Sequence, residues 1–163
     1  MNDKAIKILY VEVEIDHAIL IRELIKEIKN VNYEMTHVQH LEEALFKLDN
    51  ERYDIVMLDL ALHCNKGLDN ITTVCKRVLD VPVVVMTSKE DESIAIKTLQ
   101  RGAEECLATG EMNSHALSRI LSYAIMRHKG RVELQSLSLV DDLTGLYNRR
   151  GFMLIAQQQL SIA

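Results

Sequence analysis

Five times along this chain a short apolar run is followed by a segment whose apolar residues recur at every third and fourth position, and that alternation leaves few folds open. The runs are IKILYV (6–11), YEMTHV (33–38), DIVMLDL (54–60), VPVVVMT (81–87) and ECLA (105–108). In the first intervening segment Ile21, Leu24, Ile25 and Ile28 fall on one helical face and leave Arg22, Glu23, Lys26 and Glu27 for water. HLEEALFKL, GLDNITTVCKRV, DESIAIKTLQRG and NSHALSRILSYAIMRH behave alike. The third and fourth runs are apolar on nearly every residue, so both their faces must be covered. That requirement points to a parallel sheet with helices on both sides.

The expected fold is therefore α/β: a flavodoxin-like, doubly wound, five-stranded parallel sheet with a C-terminal helical extension. Sites in such sheets form beyond the C-terminal ends of the strands, near the switch in strand order. The residues delivered there are Glu12, Val13 and Glu14 after the first strand and Asp59 at the end of the third. Thr87 and Ser88 follow from the fourth, and Ala108, Thr109 and Gly110 from the fifth.

Composition narrows the function classes. The 163 residues are 48% apolar, enough for one core with an appendage. A formal charge of −5, from 19 Lys and Arg against 24 Asp and Glu, offers no broad basic footprint, so no nucleic-acid partner is expected. No stretch approaches the roughly 20 apolar residues of a membrane span, and the start MNDKAIKILYVEVE reads as an unprocessed terminus. A cytoplasmic protein with no membrane partner is the expectation. Cys64, Cys75 and Cys106 include no C-x-x-C pair and are read as reduced, buried thiols. The 6 histidines lack ligand spacing, and no Gly-rich phosphate loop follows the first strand, so no organic cofactor is expected.

Taken alone, an Asp closing an apolar strand is often only a turn cap, and a Thr there only a strand end. Together and in order, the strand ends resemble the receiver domain of two-component response regulators, over Lys4 to about Arg127. DIVMLDLALHCNKGLDNI is similar to the phosphoacceptor segment of that family, with Asp59 as acceptor and Gly67 eight residues on. VPVVVMTS is similar to the strand carrying the phosphate-sensing hydroxyl, here Thr87, and RGAEECLATGE to the run that closes the sheet. The resemblance implies a phosphoprotein of a phosphorelay, modified on Asp59 by a partner histidine kinase. It also implies a Mg²⁺ ion held by an acidic pair, the acceptor carboxylate and the Ala61 carbonyl, because an aspartate attacks a phosphoryl group only once the converging charges are neutralised.

This sequence keeps part of that set. Glu12 takes the first acidic position, but Val13 stands where the metal-ligating carboxylate belongs, and an isopropyl group cannot coordinate Mg²⁺. Thr109 occupies the position of the lysine that pairs with phosphoryl oxygens, Cys106 that of a switch aromatic, and His63 that of a loop proline. Glu14 would reach the metal only through a rearranged turn. The implied Mg²⁺ site, Glu12, Asp59 and the Ala61 carbonyl, is expected to be weak. The reading is a degenerate receiver acting by dimerisation or protein interaction, with true phosphorylation on Asp59 as the alternative.

Beyond the receiver, 128–140 is expected to form a signalling helix. Its Leu134, Leu137 and Val140 recur at three, with no sheet left to cover them, so a second chain is the expected cover and a homodimer the expected state. A solvated linker is the other outcome, since Gly130 weakens the helix by about 1 kcal/mol relative to Ala. From Asp141, DDLTGLYNRRGF resembles the opening signature of GGDEF diguanylate cyclase domains, which make cyclic di-GMP. The catalytic loop of that family is not found before Ala163, so 141–163 is read as a truncated start and the chain as given is not expected to be an enzyme.

Overall fold

A computed structural model describes residues 5–60, 67–87, 92–110, 112–137, 140–141, 143–149 and 152–153. The chain divides into two compact units, Met1–His128 and Lys129–Ala163.

In the first unit strands and helices alternate without exception: β1 (Ile6–Val11), α1 (Ile15–Glu27), β2 (Tyr33–Val38), α2 (Leu41–Asn50), β3 (Ile55–Asp59), α3 (Gly67–Arg77), β4 (Val83–Thr87), α4 (Glu92–Gln100), β5 (Glu105–Ala108) and the start of α5 (Ser114–Leu137). The strands form one parallel sheet in the order β2-β1-β3-β4-β5, the doubly wound arrangement expected from the sequence. Chain order reverses between β1 and β3, which opens the crevice where such folds place their sites.

Successive residues of a strand point to opposite faces, so each central strand serves two cores. Ile8, Tyr10, Ile55, Met57, Val84 and Met86 pack with Ala18, Ile21 and Ile25 of α1 and Leu117, Leu121 and Ala124 of α5. Leu9, Val11, Val56, Leu58, Val83 and Val85 pack with Ala44 of α2 and Ile71 and Val74 of α3. Each fully buried aliphatic side chain contributes about 1.5 to 3 kcal/mol, and this double burial fixes the strand ends that carry the site. Helix boundaries follow local chemistry. Asn113 Oδ1 accepts a hydrogen bond from the Ala116 N–H at 2.9 Å and caps α5. Gly102, at φ 103°, turns the chain out of α4 in a conformation that a Cβ would strain.

Several expectations are corrected. β3 begins at Ile55, just after Asp54, whose carboxylate accepts from the Lys7 N–H at 2.9 Å while its own N–H donates to the Lys7 carbonyl at 2.8 Å. β4 begins at Val83 because Pro82 has no N–H to give a ladder. Ile28 is an extended C-cap rather than a residue of α1. Cys75 and Cys106 are half-buried rather than buried, and Cys64 lies outside the described residues. Among the described residues, no helix is long and apolar enough to cross a membrane.

The second unit corrects a helical reading. Val140 is not a third member of a helical stripe: it forms an antiparallel bridge with Tyr147. The turn between them is built from motif residues. Asp141 Oδ1 accepts from the Thr144 N–H at 2.8 Å and the Thr144 hydroxyl at 2.7 Å, and Gly145 adopts φ 68°. The Asp141 N–H donates to the Leu146 carbonyl at 2.7 Å and closes the loop. Asp–Thr–Gly is therefore turn chemistry here.

Candidate functional site

Register sets the site. Val11 lies opposite Leu58, Asp59 opposite Met86, and Thr87 opposite Ala108, so Glu12, Asp59, Thr87 and Thr109 emerge at the same C-terminal edge of the sheet. Strand alternation puts Asp59 on the face of Ile55 and Met57, and Glu12 on the face of Ile8 and Tyr10. The acidic residue after β1 and the carboxylate closing β3 thus share one side of adjacent strands.

Glu12 is 1% exposed, and its carboxylate is already occupied. Oε2 accepts a hydrogen bond from the Tyr10 hydroxyl at 3.0 Å, and Oε1 accepts one from the Glu14 N–H at 2.9 Å. His17 Nδ1 stands 3.6 Å from Oε2, and His37 Nε2 lies 2.7 Å from the Glu12 carbonyl oxygen. The Tyr10 phenol is held far above its ordinary range, chiefly by burial, then by the Glu12 charge and hydrogen bond, with Asp59 adding to the same push. One neutral hydroxyl therefore sits within the field of both carboxylates.

Asp59 is 8% exposed, as expected of a group at the floor of a crevice. Val13, in the ligand position, leaves nearly half its side chain to solvent, at 45%. Glu14 is exposed and caps α1 without a side-chain bond, its own N–H held by Glu12. Thr87 is buried, and its carbonyl oxygen accepts from the Thr109 N–H at 2.8 Å and from the Thr109 hydroxyl at 3.3 Å. Where the family pattern has a lysine reaching outward, this chain has a hydroxyl turned back onto the backbone. Cys106 adjoins the second core layer, and burial raises its thiol while the Thr98 hydroxyl opposes the shift.

The structure thus brings Glu12, Asp59, Thr87 and Thr109 to one sheet edge. Ala61, Ser88 and His63 lie outside the described residues. Leu134 is 71% exposed on α5, Leu137 is its last residue, and Val140 belongs to the bridge. Three residues of the site were not singled out in the sequence: Tyr10, His17 and His37. Tyr10 had a signal, since it precedes Glu12 by two within a strand and must share its face; the histidines had none.

Receiver domains in general bind Mg²⁺ at an acidic pocket, and the donor set here does not fit that ion well. Mg²⁺ needs near-octahedral oxygen ligands and gives up water reluctantly. Of the two carboxylates on the shared face, Glu12 already accepts a hydrogen bond on each oxygen. Val13 adds no ligand, and among the described residues no three His, Cys, Asp or Glu side chains converge as a metal site.

Comparison with known proteins agrees with this fold. The model of the response regulator receiver domain family matches residues 8–119. The chain is 25% identical over 133 residues to the transcriptional regulatory protein PhoP of Escherichia coli K12, covering 82% of this chain and 57% of that protein. It is 31% identical over 78 residues to the CpxR homolog of Haemophilus influenzae, covering 48% of this chain and 34% of that one. The chain therefore spans a third to somewhat over half of these relatives' lengths. Among solved structures, a CheY-like response regulator receiver domain protein from Methanospirillum hungatei superposes with a TM-score of 0.66 at 16% identity, over 78% of this chain and 99% of that one. NtrX from Brucella abortus superposes with a TM-score of 0.70 at 22% identity, over 87% and 31% respectively. These structures share the fold.

Proposed function

From the premise that this chain belongs to the response regulator receiver domain family, and so to two-component signalling, we propose that it is a degenerate receiver, the input module of a GGDEF diguanylate cyclase, working through chain pairing or protein interaction rather than phosphotransfer. The observation that carries this reading is the state of Glu12. Its carboxylate accepts from the Tyr10 hydroxyl and the Glu14 N–H, while Val13 beside it supplies no ligand and Thr109, after β5, supplies no cation. A phosphoryl group on Asp59 would find no lysine at position 109 to pair with its oxygens.

The cyclase output rests on DDLTGLYNRRGF, whose Asp141, Thr144 and Gly145 form one closed turn. The PhoP and CpxR relatives are named as transcriptional regulators, so this output differs from theirs. The chain itself should make no cyclic di-GMP from GTP. The alternative reading, phosphorylation of Asp59 by a histidine kinase, is favoured by the position of Asp59 at the sheet edge beside Thr87.

The two separate in one experiment. Acetyl phosphate with Mg²⁺ should leave the native chain unmodified by mass spectrometry. Val13→Asp with Thr109→Lys should raise labelling, and Asp59→Asn in that background should abolish it. Labelling of the native chain at Asp59 to the level of the repaired one would establish the phosphoacceptor reading instead.

A further inference from the structure

Tyr10 is buried beneath the sheet edge beside Glu12, and the family resemblance assigns it no role. Its ring is fully buried, flanked in register by His37 on β2 and Met57 on β3. A buried tyrosine has two side-chain torsions and must find an acceptor for its hydroxyl. The acceptor here is Glu12, two residues on along the same strand face, at 3.0 Å.

We propose that the Tyr10 hydroxyl keeps divalent cations out of this pocket, together with the loss of a carboxylate at position 13. The inference rests on the reading of the site as degenerate and identifies what holds it so. A cation binding Glu12 through Oε2 would compete with the Tyr10 hydroxyl for that oxygen's charge, and displacing the hydroxyl would leave it buried without its acceptor. It would also have to approach the oxygen that His17 Nδ1 already faces at 3.6 Å. The other oxygen is held by the Glu14 N–H at 2.9 Å, which also fixes the turn into α1. The pocket thus answers part of its own negative charge with an internal donor. A carboxylate returned to position 13 would enter a site whose first acidic ligand is still engaged.

The Tyr10 hydroxyl is a positioning group, and its effect is read by metal binding rather than by stability. The full chain is titrated with MgCl₂ by calorimetry, and with Mn²⁺ by paramagnetic broadening of the Glu12 and Asp59 amides, for the native protein, Val13→Asp, and Val13→Asp with Tyr10→Phe. Circular dichroism melts establish that each variant is folded at the titration temperature, and Tyr10→Met gives the same comparison should the Phe variant not be. Val13→Asp alone should bind weakly, and removal of the hydroxyl should tighten binding on the order of tenfold to a hundredfold, the worth of a hydrogen bond to a charged group. Equal affinity of Val13→Asp with and without the hydroxyl, or no binding by either hydroxyl-free double variant, overturns the role of Tyr10. Tight Mg²⁺ binding by the native chain would overturn the degenerate reading itself, a separate outcome of the same titration.

Discussion

His128 Nδ1 lies 2.9 Å from a Glu104 carboxylate oxygen, with both side chains almost wholly removed from water, and the pair ties the last residue of the first unit to the segment leading into β5. Beside it Arg127 donates to the Glu104 carbonyl at 3.1 Å and to the Glu105 carboxylate at 2.8 Å, in a far more exposed setting. Two adjacent acids thus hold two adjacent bases, one pair dry and one wet. Glu104→Ala should cost about 1.5 to 3 kcal/mol, because it strips a hydrogen bond involving a charged group from a dry site. Glu105→Ala should cost about 1 kcal/mol or less, as exposed ion pairs do. Denaturation midpoints at unchanged slope measure both, and equal losses would contradict the assignment of dry and wet pairs.

Alkaline pH should expose the environment of Tyr10. Its phenol is raised in the folded protein by burial and by Glu12, so the unfolded chain releases a proton that the folded chain keeps. The stabilisation is complete below the ordinary tyrosine value of about 10 and is lost as pH rises beyond it. Unfolding free energy of the native protein should therefore fall more steeply above that pH than that of Tyr10→Phe. Parallel slopes would mean that the hydroxyl is solvated.

In the second unit, hydrogen bonds from the Thr144 hydroxyl and backbone hold the Asp141 carboxyl below its usual range. Carboxylate NMR should give Asp141 a titration midpoint under the ordinary aspartate value of about 3.9, and Thr144→Val should move it back up. By sign, the turn gains from this carboxylate above that range and loses the gain as pH falls through the folded value. An unchanged midpoint in Thr144→Val would show that the hydroxyl is not the cause.

The proposed pairing of chains has its own test. Leu134 projects from α5 with 71% of its surface exposed. Leu134→Lys should shift the light-scattering mass of the full chain toward the monomer at micromolar concentration. A mass unmoved by that change, or by truncation after Arg127, would place self-association elsewhere.

Sequence alone carried the fold because its signals were doubly written. Runs such as IVML and VVVM need cover on both faces, and the helices between them show one apolar stripe each. Boundaries blurred where a single residue decided them: Pro82 has no donor, Asp54 turned its side chain to the backbone, and Ile28 left the helix. The apolar spacing of Leu134 and Leu137, both on α5, did not extend to Val140 for a related reason, since the Asp141 to Leu146 turn draws Val140 into a bridge. At the site, identities at the strand ends were legible, but the engagement of Glu12 was not. A hydrogen bond from a tyrosine two residues earlier looks in sequence like one more apolar strand position.

The two-layer core makes the site an arithmetic property of the strands. Ile55, Met57 and Asp59 share one parity, and Ile8, Tyr10 and Glu12 share the same side, whereas Val83 and Val85 put Thr87 on the other. Inserting one residue in β3 ahead of Asp59 would leave composition and hydrophobicity almost unchanged yet send that carboxylate to the far side of the sheet. The address of the pocket is therefore an even count along two strands and an odd offset on a third. Side chains at this address can be exchanged without moving it, but the count cannot change without moving the address itself.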